Sequence, residues 1–326
     1  MKLKLSVVIS AYNEEEKIDK CLSSVKWADE IVVMDNSSTD RTREVARKYT
    51  DKVYSQPNDP FKIDLQKNTG FEKATGDFIL SLDADELVSD ELKIEITDLL
   101  EKVSLKDGYF IPRKNIIFGR IFEYAGWYPD HQLRLFRKGK GRFKTENVHE
   151  GIKVDGETEY LKEHLVHHNY ENISQFIHKN MIIYAKNQAN ALIRENYALK
   201  PGDLIKTPSK EFLSRFFARK GYQDGIHGLF LSLLMAASHL VMLAYVWEEQ
   251  GFKEASSKRT LEEAESELKA LNKELKFWFL SIKMDDIKNP LGKLSLKLKN
   301  KSSTFFELSI KLNNLRGFRK VLDKLK

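Results

Sequence analysis

Leu80-Ser81-Leu82-Asp83-Ala84-Asp85-Glu86 is the stretch that decides the fold, because three acids directly follow an apolar run typical of a buried strand. Like charges this close repel, and their pKa values rise unless a cation is present. A divalent metal bridging to a diphosphate relieves that repulsion, since Mg²⁺ and Mn²⁺ favour carboxylate and phosphate oxygens. The alternative is an acidic helix N-terminus. The strand in front and two other polar strand ends favour the metal site.

Short β-rich runs alternate with helical stretches over the first 82 residues. This alternation predicts βαβ units in a parallel sheet with right-handed crossovers. Ligands of such sheets bind at the carboxyl ends of the strands, which is where the three acids stand. The predicted strands are residues 5–10, 30–34, 52–55 and 77–82, and the predicted helices are 14–26, 40–49 and 64–75.

Two more polar clusters follow predicted strands. Ser10-Ala11-Tyr12-Asn13-Glu14 offers an aromatic ring for stacking and polar groups at a helix start. Asp35-Asn36-Ser37-Ser38-Thr39-Asp40 reads in part as a turn and helix cap, with Ser38, Thr39 or Asp40 as the capping residue. A cap does not require Asp35, and an acid at that strand end suits hydrogen bonds to a base or a ribose.

In order and spacing, the motifs at 7–14, 35–40 and 83–85 resemble family 2 glycosyltransferases with the GT-A fold, a Rossmann-like α/β fold. The segment Gly126-Trp127-Tyr128-Pro129-Asp130-His131-Gln132-Leu133-Arg134-Leu135-Phe136, together with Val148-His149-Glu150, resembles a narrower branch that includes bacterial lipopolysaccharide-core glucosyltransferases. The resemblance covers about residues 4–250. It implies sugar transfer to a hydroxyl acceptor, a glycan that is lipid-linked or part of the cell envelope.

The resemblance also implies a donor, a cofactor and site residues. The donor is a nucleotide-diphospho-sugar, foremost a UDP-sugar, and the cofactor is Mg²⁺ or Mn²⁺. A solvent-facing Lys67 and a purely structural His149 stay open as alternatives. The implied roles place Ser10, Tyr12 and Glu14 around the nucleotide, Asp35 at the uracil or ribose, Lys67 and Arg134 at the diphosphate, Asp83 at the ribose and metal, Asp85 on the metal, and His149 as a third metal ligand.

The catalytic base is less well defined. The family inverts the anomeric centre in one direct displacement, so one carboxylate that deprotonates the acceptor suffices. Many members carry this base in a Glu-Asp pair, which the sequence lacks in the expected region. Asp130 and Glu150 are the two candidates. The rival function is a non-catalytic nucleotide-sugar-binding or scaffold protein on the same fold, although both metal acids are present.

The charge distribution and the cysteine content indicate the compartment and the partners of the protein. The 326 residues carry a net charge of +6 and a single cysteine, Cys21, which suits a reducing, cytoplasmic compartment. Residues 290–326 hold 10 Lys and Arg against 2 Asp and Glu, so the rest of the chain sums to −2. This basic tail with spaced Leu and Phe predicts an anionic membrane surface as partner, or a solvated helix. No motif for nucleic acid accompanies it.

Residues 225–247 contain no Asp, Glu, Lys or Arg and are long enough to span a bilayer. His227 and His239 count against a span, so an interfacial helix and a buried or oligomer-forming helix are the alternatives. We therefore predict a GT-A domain over residues 1–225 and a helical extension over 226–326 that associates with a membrane or forms homo-oligomers. The predicted location is peripheral, on the inner face of the cell membrane.

Overall fold

The computed structural model describes residues 3–59, 63–144, 151–285 and 287. The chain divides into two compact units, Met1–Ala255 and Ser256–Lys326. The strands are β1 (Leu5–Ala11), β2 (Glu30–Asp35), β3 (Val53–Ser55), β4 (Phe78–Asp83), β5 (Glu86–Val88), β6 (Gly108–Ile111), β7 (Arg113–Ile117), β8 (Arg120–Ile121), β9 (Gln132–Arg137), β10 (Gly141–Arg142), β11 (Lys153–Val154), β12 (Thr158–Tyr160) and β13 (Leu165–Tyr170). The helices are α1 (Ile18–Ser24), α2 (Thr42–Ala46), α3 (Ile63–Lys73), α4 (Asp90–Leu100), α5 (Ile173–Phe176), α6 (Ala185–Arg194), α7 (Asp203–Leu213), α8 (Gly225–Glu249) and α9 (Ser257–Asp285).

The main sheet has seven strands in the order β12-β6-β9-β4-β1-β2-β3. Strands β3, β2, β1 and β4 are parallel, which confirms the four predicted strands and their common sheet. Strand β9 joins antiparallel to β4, and β6 joins antiparallel to β9. Side chains on both faces of β1 and β4 are buried because helices cover the sheet on each side, as in other α/β folds.

A smaller sheet, in the order β5-β13-β7-β8, lies next to the acidic turn. Strand β5 begins at Glu86, directly after the turn, and pairs antiparallel with β13. Strand β13 pairs in parallel with β7. The smaller sheet thus combines β7 and β8 with β13, a strand that comes much later in the chain.

The helical region of the first unit runs from α5 to α8. A π-helical segment, Ile177–Tyr184, connects α5 and α6, and α8 packs against α6 and α7. Because of this packing, α8 belongs to the first unit, whereas the predicted division at 225/226 would separate it from its partners. In the second unit the described residues form α9. The predicted basic tail, residues 290–326, lies outside the described residues.

Among the described residues, one helical stretch, Gly221–Glu249, is long and apolar enough to cross a membrane. Length and composition alone make this weak evidence, since a core helix of a soluble protein passes the same test. The contacts of α8 with α6 and α7 show that one of its faces is a packing face.

Helix α3 approaches the sheet closely at Gly70. A Cβ atom built on Gly70 would lie 2.6 Å from Val8 Cγ1 and 2.7 Å from Met34 Cγ. Val8 is a short branched side chain on a central strand and cannot move aside. We predict that Gly70→Val lowers the free energy of unfolding by about 1–3 kcal/mol through overpacking. Chemical denaturation measures this change in the free energy of unfolding. The matched Gly151→Val should be neutral, because no atom of the described residues lies within 4 Å of the new Cβ. Equal effects of the two substitutions would contradict the prediction.

Candidate active site

The predicted site residues lie at the carboxyl ends of the parallel strands. In the register of the sheet, Ser10 on β1 is opposite Asp83 on β4, and Ala11 is opposite Asp35 on β2. Parallel pairing therefore brings three separate polar segments to one edge. The sequence predicted this convergence from the order of strands and helices.

Asp35 sits beneath its own loop. Its side chain is fully buried and accepts hydrogen bonds from the Ser38 amide at 3.2 and 3.3 Å. The Arg43 Nε atom lies 3.6 Å from Asp35 Oδ2. Beside it, Asn36 Nδ2 donates to Ser10 Oγ at 3.1 Å, which ties the first two polar segments together. In this geometry the Asp35 carboxylate shapes the loop, and its predicted contact with a base or ribose stays a prediction.

Tyr12 and Glu14 face the same edge from the end of β1. The Tyr12 side chain is exposed, so its ring is accessible for stacking. The Glu14 amide donates to Thr42 Oγ1 at 2.8 Å. Burial, and then the negative charge of Asp85, raise the pKa of Glu14 to about 7. Two carboxyl groups from different strand ends therefore share one electrostatic environment.

Asp83 is held between two cations. Lys67 Nζ lies 2.7 Å from Asp83 Oδ1, and Arg134 donates from Nη2 to Asp83 Oδ2 at 2.7 Å. Burial alone would raise the pKa of Asp83, but the charges of Lys67 and then Arg134 hold it well below its usual range. Lys67 is buried, which excludes the solvent-facing alternative for this side chain. The Nε atom of Arg134 is buried and lacks a hydrogen-bond partner within the described part of the chain.

Glu86, the third acid of the motif, is the anchor of the turn. Its side chain is completely buried. Oε1 accepts from Arg134 Nη2 at 2.7 Å and from Arg113 Nη1 at 3.0 Å, while Oε2 accepts from the Asp83 amide at 3.0 Å. Glu86 therefore closes the turn and joins two arginines. The sequence pattern marked Glu86 as acidic without distinguishing it from the two Asp residues.

Asp130 is joined to this network through Arg113. Arg113 Nε donates to Asp130 Oδ2 at 3.0 Å, and Gln132 Nε2 donates to Oδ1 at 2.8 Å. Burial raises the pKa of Asp130, but the charge and hydrogen bonds of Arg113 outweigh burial and lower it. A carboxylate stabilised in this way is a weaker base than a free one. Nothing in the sequence singled out Arg113, which lies on β7.

Asp85 is buried next to His167 on β13. His167 Nε2 lies 3.6 Å from Asp85 Oδ2, and His167 Nδ1 is hydrogen-bonded to Asn115 Oδ1 at 2.7 Å. Burial raises the pKa of Asp85, yet the neighbouring imidazole lowers it to about 2. Of the three histidines at 164, 167 and 168, His167 is therefore the one that reaches Asp85. An outer partner on the other ring nitrogen is the arrangement that orients a metal-binding histidine.

The donor atoms fit a divalent metal that is shared with a phosphate ligand. Asp83 is neutralised by Lys67 and Arg134, so Asp85 is the carboxylate best placed for a metal, with His167 beside it. No group of three His, Cys, Asp or Glu side chains suited to a metal occurs within residues 3–59, 63–144 and 151–285. One or two side chains completed by phosphate oxygens are what Mg²⁺ commonly uses.

The π-helical segment adds residues that the sequence did not mark. Lys179 lies over the ring of Tyr170, with Nζ 5.9 Å from the centroid, and its charge contributes, after His167, to the lowered pKa of Asp85. Burial, followed by the charges of Tyr170 and Asp85, raises the pKa of Tyr184. π-Helical turns are frequent at functional sites. His149 and Glu150, the predicted third metal ligand and alternative base, lie outside the described residues.

Loss of the Glu86 charge should destabilise the protein at the acidic turn. We predict that Glu86→Gln lowers the free energy of unfolding by about 3–5 kcal/mol, because it leaves the buried guanidinium of Arg134 and the partly buried guanidinium of Arg113 short of a counter-charge. Urea unfolding followed by circular dichroism measures this. Glu157→Gln is the matched control, since Glu157 is exposed and pairs with Lys106 at the surface, where an ion pair contributes about 0–1 kcal/mol. A loss for Glu86→Gln no larger than the control's would disprove the anchoring role.

Comparison with known proteins shows similarity to glycosyltransferases. The model of the family "Glycosyl transferase family 2" matches residues 6–154, which include the carboxyl ends of β1, β2 and β4. The lipopolysaccharide core biosynthesis glycosyltransferase LpsC of Rhizobium meliloti (strain 1021) is 26% identical over 258 residues, covering 77% of this chain and 95% of LpsC. An uncharacterized glycosyltransferase of Rickettsia typhi is 27% identical over 258 residues, covering 75% of this chain and 87% of that protein.

Among solved structures, Staphylococcus aureus TarS 1–349 in complex with UDP-GlcNAc is similar over 76% of this chain and 92% of that one, at 16% identity and a TM-score of 0.42. The predicted α/β architecture of GT-A type, with a helical C-terminal region, is confirmed. Residues 6–154 match the model of glycosyl transferase family 2, and the chain is a glycosyltransferase.

Proposed function

We propose that this glycosyltransferase moves a sugar from a nucleotide-diphospho-sugar, foremost a UDP-sugar, to a hydroxyl group with inversion at the anomeric carbon. The observation that carries the proposal is the group formed by Lys67, Asp83 and Arg134 beside Asp85, at the edge where parallel strands present ligands. Two buried cations next to two ionised carboxylates suit a diphosphate whose charge grows as the sugar leaves.

The donor would lie across the ends of β1, β2 and β4. Tyr12 is accessible to stack on the base, and Ser10 and Glu14 offer polar groups along the same edge. Asp35 would meet the uracil or ribose only if its loop opened, because its oxygens bind Ser38. Lys67 and Arg134 would hold the diphosphate. The Nε of Arg134, which has no hydrogen-bond partner among the described residues, supports a polar ligand there.

The proposed metal, Mg²⁺ or Mn²⁺, would be held by Asp85 together with His167, and Asp83 would lie next to the ion. When bound, such an ion neutralises the diphosphate as a Lewis acid. His149 remains a proposed ligand from outside the described residues. The chain's own cations would share the same task, since Lys67 and Arg134 stay charged beside Asp83.

The acceptor hydroxyl must lose its proton to a carboxylate on the face of the sugar opposite the diphosphate. Asp130 and Glu150 are the two proposed bases. The bond from Arg113 lowers the pKa of Asp130 and so favours Glu150 for this step. Asp130 would then act by fixing Arg113 and, through it, Glu86.

The proposed acceptor is a lipid-linked or cell-envelope glycan. Support comes from LpsC, a relative over most of both chains that is named for lipopolysaccharide core biosynthesis. Such an acceptor places the enzyme at the inner face of the cell membrane as a peripheral protein. The basic tail at 290–326 is one proposed contact with anionic lipid. Homo-oligomer formation through the C-terminal helices is a further proposal.

Replacing Asp85 should stop turnover without unfolding the chain. We expect Asp85→Asn to reduce metal-dependent hydrolysis of UDP-sugars by at least about 100-fold, because the carboxylate that would carry the metal loses its charge. A screen of nucleotide sugars with Mg²⁺ or Mn²⁺ reads out donor cleavage and needs no acceptor. The matched variant Asp98→Asn changes an exposed acid on α4 and should be fully active. Activity in Asp85→Asn equal to that of Asp98→Asn would rule out the proposed role.

Substitutions of the two proposed bases should have different effects. We expect Glu150→Gln to bind UDP-sugar with unchanged affinity and to lose transfer, since a base acts only on the acceptor. Asp130→Asn should lower stability as well as activity, because Arg113 then loses one of its two carboxylate partners. Calorimetric donor binding, thermal unfolding and a transfer assay distinguish these effects. Normal transfer by Glu150→Gln would leave Asp130 as the proposed base.

A further inference from the structure

Helix α8 presents an apolar stripe to the outside of the first unit. Exposed residues follow one another at intervals of four and three along the helix, which keeps them on one face. Alanines at 237 and 244 continue the pattern between the larger side chains. The stripe spans 22 residues, or about 33 Å of helix. Its large members are Ile226 (66% exposed), Phe230 (58%), Leu233 (49%), Leu240 (45%) and Trp247 (42%).

The opposite face of α8 is fixed to the protein along its length. Leu231 packs with Phe122 and Tyr170 near the small sheet, and Leu243 packs with Ala189 of α6. The α8 packing face therefore belongs to the core of the first unit. A helix held in this way cannot cross a bilayer alone, but its outer stripe can lie along one.

The exposed charges of the chain segment that leads into the stripe and carries it have one sign up to Trp247. Over residues 196–247, all of which are described, every exposed charged side chain is basic. The acids of this segment, Asp203, Glu211 and Asp224, are buried or partly buried. Glu248 and Glu249 follow the stripe and end it. The exposed basic residues are Lys200, Lys206, Lys210, Arg219 and Lys220.

We propose that the α8 stripe is a docking surface for an anionic lipid bilayer, with the helix lying in the plane of the interface. An apolar helix face with an aromatic residue at its end and basic groups alongside is the pattern of interfacial helices. Anionic headgroups would meet the lysines while the acyl boundary receives Phe230 and Leu233. The proposal goes beyond the proposed sugar transfer and does not require it.

Vesicle flotation of the full chain tests the proposal. Phe230→Ser/Leu233→Ser should bind vesicles of equimolar phosphatidylcholine and phosphatidylglycerol at least about ten-fold more weakly than the unaltered chain, because two apolar side chains leave the interface. The matched control, Leu261→Ser/Leu268→Ser, removes two exposed leucines from α9 and should bind normally. Circular dichroism and donor hydrolysis should be unchanged in both, so a failure of sugar transfer is seen separately from a failure of docking.

Two further measurements make the test specific. Lys206→Gln/Lys210→Gln should weaken binding to the anionic vesicles, and added salt should have the same effect. Brominated lipids should quench the fluorescence of Trp247, and Trp247→Phe should lose that quenching while the other three tryptophans remain.

Two results would overturn the proposal. The first is equal flotation of Phe230→Ser/Leu233→Ser and the unaltered chain. The second is the absence of vesicle binding together with a light-scattering mass of two copies that falls to one copy in Phe230→Ser/Leu233→Ser. That result would assign the stripe to a second copy of the chain.

Discussion

The completely buried carboxylate of Glu86 is the constraint on which the acidic edge depends. A carboxylate in that position costs several kcal/mol of hydration unless cations meet it, and Arg113 and Arg134 do so from two different strands. Each arginine has a second partner, since Arg134 also binds Asp83 and Arg113 also binds Asp130. One buried charge therefore sets the distance between carboxylates that are 47 positions apart in the sequence.

The network alternates in sign from Lys67 through Asp83, Arg134, Glu86 and Arg113 to Asp130. This order keeps Asp83 and Asp130 ionised, because each carboxylate touches at least one cation and their pKa values are lowered. The protein itself thus offsets the cost of collecting acids at one edge. A ligand that arrives there meets charges already in place, which is the electrostatic preorganisation that transfer of a charged leaving group requires.

The sequence was sufficient for the parallel half of the fold and for the edge where the motifs meet, because hydrophobic runs and βα alternation are local patterns. It was not sufficient for the small sheet. Pairing of β5 with β13 joins residues some 80 positions apart, and no local pattern encodes it. For that reason Arg113 escaped prediction, whereas Lys67 and Arg134, which lie within family motifs, were found. Asp35 is hydrogen-bonded by its own loop, and its predicted contact with a base or ribose stays a prediction.

Helix α8 connects the proposed membrane surface with the strand that leads to the proposed metal site. Its inner face meets Tyr170, and the strand that carries Tyr170 also carries His167 beside Asp85. One hydrophobic cluster therefore separates the helix proposed to lie on lipid from the residues proposed to hold the metal. An enzyme held by α8 would keep the active-site edge of its main sheet at a fixed distance and orientation from the bilayer. A lipid-linked acceptor would then reach the enzyme by diffusion within the membrane plane, and only the sugar donor would have to arrive from solution.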